Sequence, residues 1–143
     1  MALNPSADAP QATSLQVGVV VRDLEETTPF YRDGLGLAHE ADLPLPFGIQ
    51  RRFACGHGVV KLLQPTEPPT MSNPPGGIKG GTIGLRWFSV RVTGIEEVVR
   101  RCVATGGVVV APVEEWQPGL KVAMLEDPEH SCWIEVFERK GAA

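Results

Sequence analysis

Lys61 and Glu135 are the two side chains in this sequence whose types and placement most suit chemistry. They occupy matching places in two alternating segments, VVKLLQP and WIEVFE, while Gln16 and Trp87 hold matching places in two others. A carboxylate walled by Trp87, Trp133 and Phe137, and stripped of water, would accept a proton as a general base. A lysine ammonium nearby would hold an enolate oxygen or act as an electrophile. Isomerisation, epimerisation or elimination next to a carbonyl fits such a pair, with catalytic residues Lys61 and Glu135. The alternative use of the same two residues is a salt bridge with no chemistry.

Alternation along the strands assigns further residues to the same face. Val17, Val19 and Val21 form one apolar set and leave Gln16, Gly18 and Val20 opposite; Phe88, Val90 and Val92 leave Trp87, Ser89 and Arg91 opposite. Val60 and Leu62 match Ile134 and Val136 on the helix side, which puts Lys61 and Glu135 on the other. Trp87, Trp116, Trp133, Phe47 and Tyr31 could wall a pocket for a flat or hydrophobic compound, and that reading makes the protein a binder rather than a catalyst. Arg51, Arg52, Arg86 and Arg91 could contact an anionic substrate, although only Arg91 is placed on this face by phase. The segments FGIQ around Phe47 and WQPG around Trp116 have glycine and proline hinges that suit lids. His39, His57 and His130 fall at a strand edge and in turns, where surface roles are expected. Cys55, Cys102 and Cys132 sit in apolar segments with no CxxC spacing, as small hydrophobes do.

An internal repeat positions these residues. VGVVVRDLEE from Val17 aligns with FSVRVTGIEE from Phe88, an offset of 71 residues, and each copy runs from a strand through a polar turn into a helix. The helices stop at Gly34 and Gly36 in one copy and at Gly106 and Gly107 in the other. In the second helix Ile95, Val98, Val99, Cys102 and Val103 form the stripe of a half-buried helix, and Thr93 with Glu96 predicts a capping box. In the first, Asp23 can cap, Leu24, Thr28, Tyr31 and Leu35 share a face, and Pro29 implies a shifted start or a kink. Extended segments are expected near 37–42, 48–55 and 58–64, then 108–112, 120–126 and 131–137. The last strands pair at an offset of 74, so about three residues are inserted in the second copy.

The result is an α+β chain of two βαβββ modules: a disordered N-terminal tail over 1–13, modules over 14–65 and 81–138, and a C-terminal tail over 139–143. The Pro/Gly-rich stretch over 66–80 reads as a flexible or semi-extended tether. At 143 residues, 43% hydrophobic and 21% charged, one compact domain is expected. A net charge of -4 with scattered basic residues argues against nucleic acid as a partner. No apolar run is long enough for a membrane and the N-terminus lacks a signal-peptide pattern, so a cytoplasmic location is expected.

VVVRDLEETTPFYRDGLGL resembles the opening helix signature of the glyoxalase and bleomycin-resistance (vicinal oxygen chelate) superfamily. MLEDPEHSCWIEVFE resembles its closing segment, usually an Asp-Pro-Asp-Gly turn before a strand carrying Glu. The resemblance spans about residues 14 to 138 and implies two modules curled into a partial barrel around a groove for a small-molecule ligand, often in a homodimer. Gln16, Lys61, Trp87 and Glu135 correspond to the family's metal-binding pattern of His or Gln, Glu, His and Glu. Gln16 and Glu135 offer oxygens, but Trp87 offers no lone pair and Lys61 is an ammonium. A unit positive charge about 4 Å from that ammonium costs about 4 kcal/mol at an effective dielectric near 20, and a divalent ion doubles it. No metal site and no cofactor are therefore expected, and a metal-dependent lyase or dioxygenase is the least favoured of three readings. Metal-independent catalysis by Lys61 and Glu135 comes first. Sequestration of an antibiotic-like molecule is its alternative, with Gln16, Trp87, Ser89, Arg91, Trp133, Phe137, Phe47 and Trp116 as the ligand-binding set.

Overall fold

The structure is a computed structural model that describes residues 9–141. Most of the expected N-terminal tail and the last two residues lie outside that range. The first module runs β1 (Gln16–Val20), α1 (Leu24–Pro29), β2 (Ala38–Leu45), β3 (Gly48–Cys55) and β4 (Gly58–Pro65). The second runs β5 (Trp87–Arg91), α2 (Ile95–Ala104), β6 (Val108–Gln117), β7 (Leu120–Glu126) and β8 (Trp133–Arg139). Each module folds into one four-stranded sheet, ordered β1-β4-β3-β2 and β5-β8-β7-β6, in which only the first-to-last pairing is parallel. The repeat read from the sequence is thus a repeat of topology.

The alternation holds. Val19, Val21, Val60 and Leu62 are buried against the helices of the first sheet, as are Val90, Val92, Ile134 and Val136 in the second, while Gln16, Gly18, Val20, Trp87, Ser89 and Arg91 are exposed. These helix-side faces join in one core shared by both modules. The helices meet at glycines because only a missing Cβ allows the approach: a Cβ on Gly34 would stand 2.9 Å from Thr105 Oγ1 and 3.1 Å from the Cα of Cys102.

Two local expectations need correction. Thr93 and Glu96 do not form a capping box. The residue before α2 is Gly94, at φ 67°, and no side chain of its own caps the helix; the carboxylate of Glu138 accepts the N–H groups of Gly94 at 2.8 Å and Ile95 at 3.1 Å instead. Asp23 does cap α1, accepting from Glu25 N and Glu26 N. Pro29 falls inside that helix and has no N–H to give, and the chain continues as a π-helical turn over Phe30–Gly34, closed by Leu35 N–H to Phe30 O at 2.8 Å.

The stretch between the modules contains a 3-10 turn at Gly77–Lys79 and is held at Asn73, Pro74, Pro75 and Gly77. Arg86, which sequence reasoning offered as an anion contact, is 7% exposed and donates to the carbonyls of Gly77 (2.9 Å), Pro74 (2.8 Å) and Pro75 (3.3 Å). Asn73 donates to Ser131 O at 2.6 Å. Proline-rich chain has few donors, so its carbonyls need an outside partner, and a buried guanidinium supplies five N–H groups.

Candidate ligand cleft at the module seam

A cleft of about 370 Å³ opens where β1, the start of β5, the inter-module stretch and the β7–β8 loop meet. Its walls are largely apolar: Val20, Met71, Leu85, Trp87 and Phe88 line it, and Trp87 is 42% exposed. The stretch between the modules therefore builds one wall of the site. Sequence reasoning missed Met71 and Leu85 because they carry no periodicity; their only signal is large apolar residues inside a Pro/Gly-rich segment.

The polar groups lining this cleft are engaged with the protein itself. Glu129 accepts both Arg22 N (2.8 Å) and Asp23 N (3.0 Å), and the Thr27 hydroxyl at 3.0 Å, so the second module's loop caps the first module's helix. Arg22 Nη2 donates to Ser72 Oγ at 3.0 Å, and His130 Nδ1 pairs with Glu126 at 2.6 Å. Behind them Asp127, wholly buried, accepts from Ser131 N and Ser131 Oγ at 2.6 Å each, from Cys132 N at 3.3 Å and from the Tyr31 hydroxyl at 3.4 Å. Burial raises the Asp127 carboxyl above the usual range although the Ser131 and Cys132 donors pull it down, and burial first, then the neighbouring Cys132 and Asp127, raises the Tyr31 phenol. Burial, with the charge of Asp127, pushes the Cys132 thiol up to about 12, which leaves it protonated and a poor nucleophile.

The other residues singled out from sequence are distributed around this cleft rather than gathered in it. Gln16, Lys61, Ser89 and Glu135 are absent from its lining. Lys61 pairs across the first sheet with Gly18 and Arg52, and Glu135 across the second with Ser89 and Met124. The two do not form the salt bridge considered as an alternative: no ion pair joins them among the described residues, and Glu135 Oε1 accepts the Ser89 hydroxyl at 2.8 Å. Trp133 is 8% exposed, its indole covered by Gly77 and its Nε1 donating to Glu126 at 3.3 Å, while Phe137 is half-buried. Phe47 and Trp116, 59% and 63% exposed, sit at the tips of the β2–β3 and β6–β7 hairpins, outside the cleft. Pairing there reaches Leu45↔Gly48 and Gln117↔Leu120, so these segments are closed hairpin turns without the length of a lid. Arg91 lines a separate cleft beside α2.

Of the four positions that the resemblance equates with a metal pattern, Trp87 and Lys61 carry an indole and an ammonium, which offer a divalent ion no lone pair, and Glu135 accepts the Ser89 hydroxyl.

The two sheets, their shared core and the seam cleft define a paired-module α+β protein of the glyoxalase type. The sequence matches the Glyoxalase/Bleomycin resistance protein/Dioxygenase superfamily over residues 13–136, and the chain belongs to it. Among solved structures it is similar to a glyoxalase family protein from Bacillus cereus, with a TM-score of 0.76 and 18% identity over 96% of this chain and 100% of that one. It also resembles TnmS3, an antibiotic binding protein from Streptomyces sp. CB03234, with a TM-score of 0.61 and 20% identity over 92% and 99% of the two chains. TioX from Micromonospora sp. ML1 aligns with a TM-score of 0.60 and 22% identity over 89% and 96%. None of the curated proteins matches. No helix among the described residues is long and apolar enough to cross a membrane.

Proposed function

We propose that this protein binds and holds a small, largely apolar organic molecule in the seam cleft without converting it. The observation that carries this reading is the pairing of an apolar wall with committed polar groups. Val20, Met71, Leu85 and Trp87 leave apolar surface open to water that a ligand would cover, and about 370 Å³ lies within the range of small-molecule sites. The titratable groups around them, Arg22, Arg86, Glu129, His130 and Cys132, each have a structural partner, and the one thiol is held protonated. The Trp87 face offers stacking for a flat ring. TnmS3, an antibiotic binding protein of the same fold, supports this use of the architecture.

The test is a screen of aromatic and polycyclic compounds by tryptophan quenching. Saturable quenching that weakens at least about tenfold in Trp87→Ala, with the compound recovered unchanged by mass spectrometry, is the expected result. Recovery of a modified product would replace binding with catalysis.

The second reading keeps Lys61 and Glu135 as a catalytic pair. Its support is the space over Lys61, because its neighbour Gly18 has nothing within 4 Å of where a Cβ would lie. A substrate oxygen could approach the ammonium there. Homodimerisation is a further part of the proposal: β2, β3 and β6 leave Leu43, Ile49, Val108, Val109 and Val110 exposed, and light scattering would show whether a second copy covers them.

A further inference from the structure

A second cleft, of about 530 Å³, lies between the modules beside α2, with Leu37, Cys55, Arg91, Arg101, Glu138 and Arg139 in its lining. Three guanidiniums face one carboxylate, and that carboxylate is occupied: its oxygens hold the N–H groups of Gly94 and Ile95. The acids whose charge interacts with Arg101 are occupied as well, Asp33 by both arms of Arg32 at 2.9 Å and Glu97 by Arg100. Among the described residues Arg91, Arg101 and Arg139 make no ion pair. Arg91 gives one N–H to Arg139 O and Arg101 one to Gly34 O, each at a long 3.3 Å, and the Nε of Arg101 is buried without an acceptor. Guanidiniums that line a cleft without a carboxylate partner suit an oxyanion, which accepts from several N–H groups at once.

The repeat explains why the position is open. In the seam cleft the long β7–β8 loop brings the Glu129 carboxylate onto the backbone N–H groups of Arg22 and Asp23, just before α1. Beside α2 the corresponding β3–β4 turn is shorter, and it reaches the cleft with Cys55 and Gly56. The loop-borne carboxylate of the seam cleft has no counterpart in this turn, and Glu138, at the end of β8, is taken up by Gly94 and Ile95.

We infer that this second cleft binds a small organic anion, its carboxylate or phosphate group held by Arg91, Arg101 and Arg139 and its remainder lying toward Leu37 and Cys55. The site is separate from the seam cleft and does not depend on what that cleft binds. The excess of guanidinium over carboxylate favours a doubly charged ligand.

The test titrates the full-length, nitrogen-15-labelled protein with inorganic phosphate and, separately, with malonate, the ionic strength being matched with chloride. Saturable shifts of the Arg101 Nε–H and the Thr93 and Gly94 amides are expected for at least one of the two anions, and the anion that saturates lower identifies the preferred group. Arg101→Met should weaken binding at least about tenfold, the loss of a charged hydrogen bond. The double variant of the exposed residues, Arg91→Gln with Arg139→Gln, should do the same and serves if Arg101→Met fails to fold. No saturable shift with either anion, or an unchanged affinity in the double variant, would overturn the site.

Discussion

Gln64 and Glu138 hold the same place in the two modules: each lies at the end of the last strand and accepts the N–H that opens the helix, Gln64 Oε1 from Leu24 at 2.7 Å and Glu138 Oε1 from Ile95 at 3.1 Å. The modules differ one residue earlier. Asp23 caps α1 with its own side chain, whereas Gly94 has none, and the second oxygen of Glu138 covers the Gly94 N–H. These backbone N–H groups hold the Glu138 carboxyl below the usual carboxylate range. A lowered folded value means that the cap contributes above the unfolded glutamate value of about 4.3 and is lost as pH falls through the folded one. Glu138→Ala should cost about 1 kcal/mol or less at neutral pH, shrinking in acid, while Gln64→Ala should cost a similar amount at every pH. Urea unfolding at several pH values checks this, and a pH-independent cost for Glu138→Ala would refute the carboxylate's role.

Asp127 gives a second, opposite pH dependence. Its carboxyl is raised by burial, so its contribution is fully present below the unfolded aspartate value and is lost as pH rises through the folded value. An amide has the same shape, an oxygen to accept from Ser131 N and an NH₂ that the Ser131 and Tyr31 hydroxyls can accept. Asp127→Asn should therefore fold and flatten this part of the stability profile. Asp127→Ala leaves the Ser131 and Cys132 N–H groups without this acceptor and the buried Tyr31 hydroxyl with only the weakly accepting Cys132 sulfur, and should cost about 2–4 kcal/mol. Thermal melts of the two variants, run from acid pH upward beyond the ordinary aspartate range, separate the outcomes.

Gly77 is held at positive φ directly against the Trp133 indole, so any side chain there must push the stretch between the modules off the second sheet. Gly77→Ala should destabilise the protein by about 1–3 kcal/mol, increase the solvent exposure of Trp133 and weaken ligand binding in the seam cleft, whose wall moves with it. Fluorescence of a variant retaining only Trp133 measures the exposure. An unshifted spectrum would mean that the stretch does not depend on this contact.

Both sheets could be read from the sequence because Val17–Val21 and Phe88–Val92 alternate cleanly, and the helix stripe at Ile95, Val98 and Cys102 shows which face is buried. Lys61 and Glu135 were placed on their sheets for the same reason. Contacts between distant segments left no such trace. Arg86 binding Pro74 and Gly77, or Glu129 capping α1, depends on which loops meet in space. Thr93 with Glu96 fitted a local cap motif, yet the cap arrives from Glu138, 43 residues beyond Ile95. The seam cleft was half legible: Trp87 follows from strand phase, whereas its partner wall comes from a segment that sequence pattern assigns to a linker.

Lys61, Glu135 and Trp87 together discriminate between binding and catalysis. If the protein holds its ligand unchanged in the seam cleft, Lys61→Ala and Glu135→Gln should leave affinity within about twofold, because neither residue lines that cleft, while Trp87→Ala should weaken it at least about tenfold. If the open face of the sheets is a catalytic surface, turnover is the readout that separates the readings: Lys61→Ala and Glu135→Gln should abolish it while folding and ligand affinity stay close to those of the unaltered protein. Ser89→Ala refines the test, since it removes the hydroxyl given to Glu135 at 2.8 Å and leaves the carboxylate in place. A base held by that bond would lose part of its rate, whereas a binding protein would show no change. Equilibrium titration alongside product analysis on the same four variants decides the matter, and full affinity in Trp87→Ala would remove the seam cleft as the ligand site.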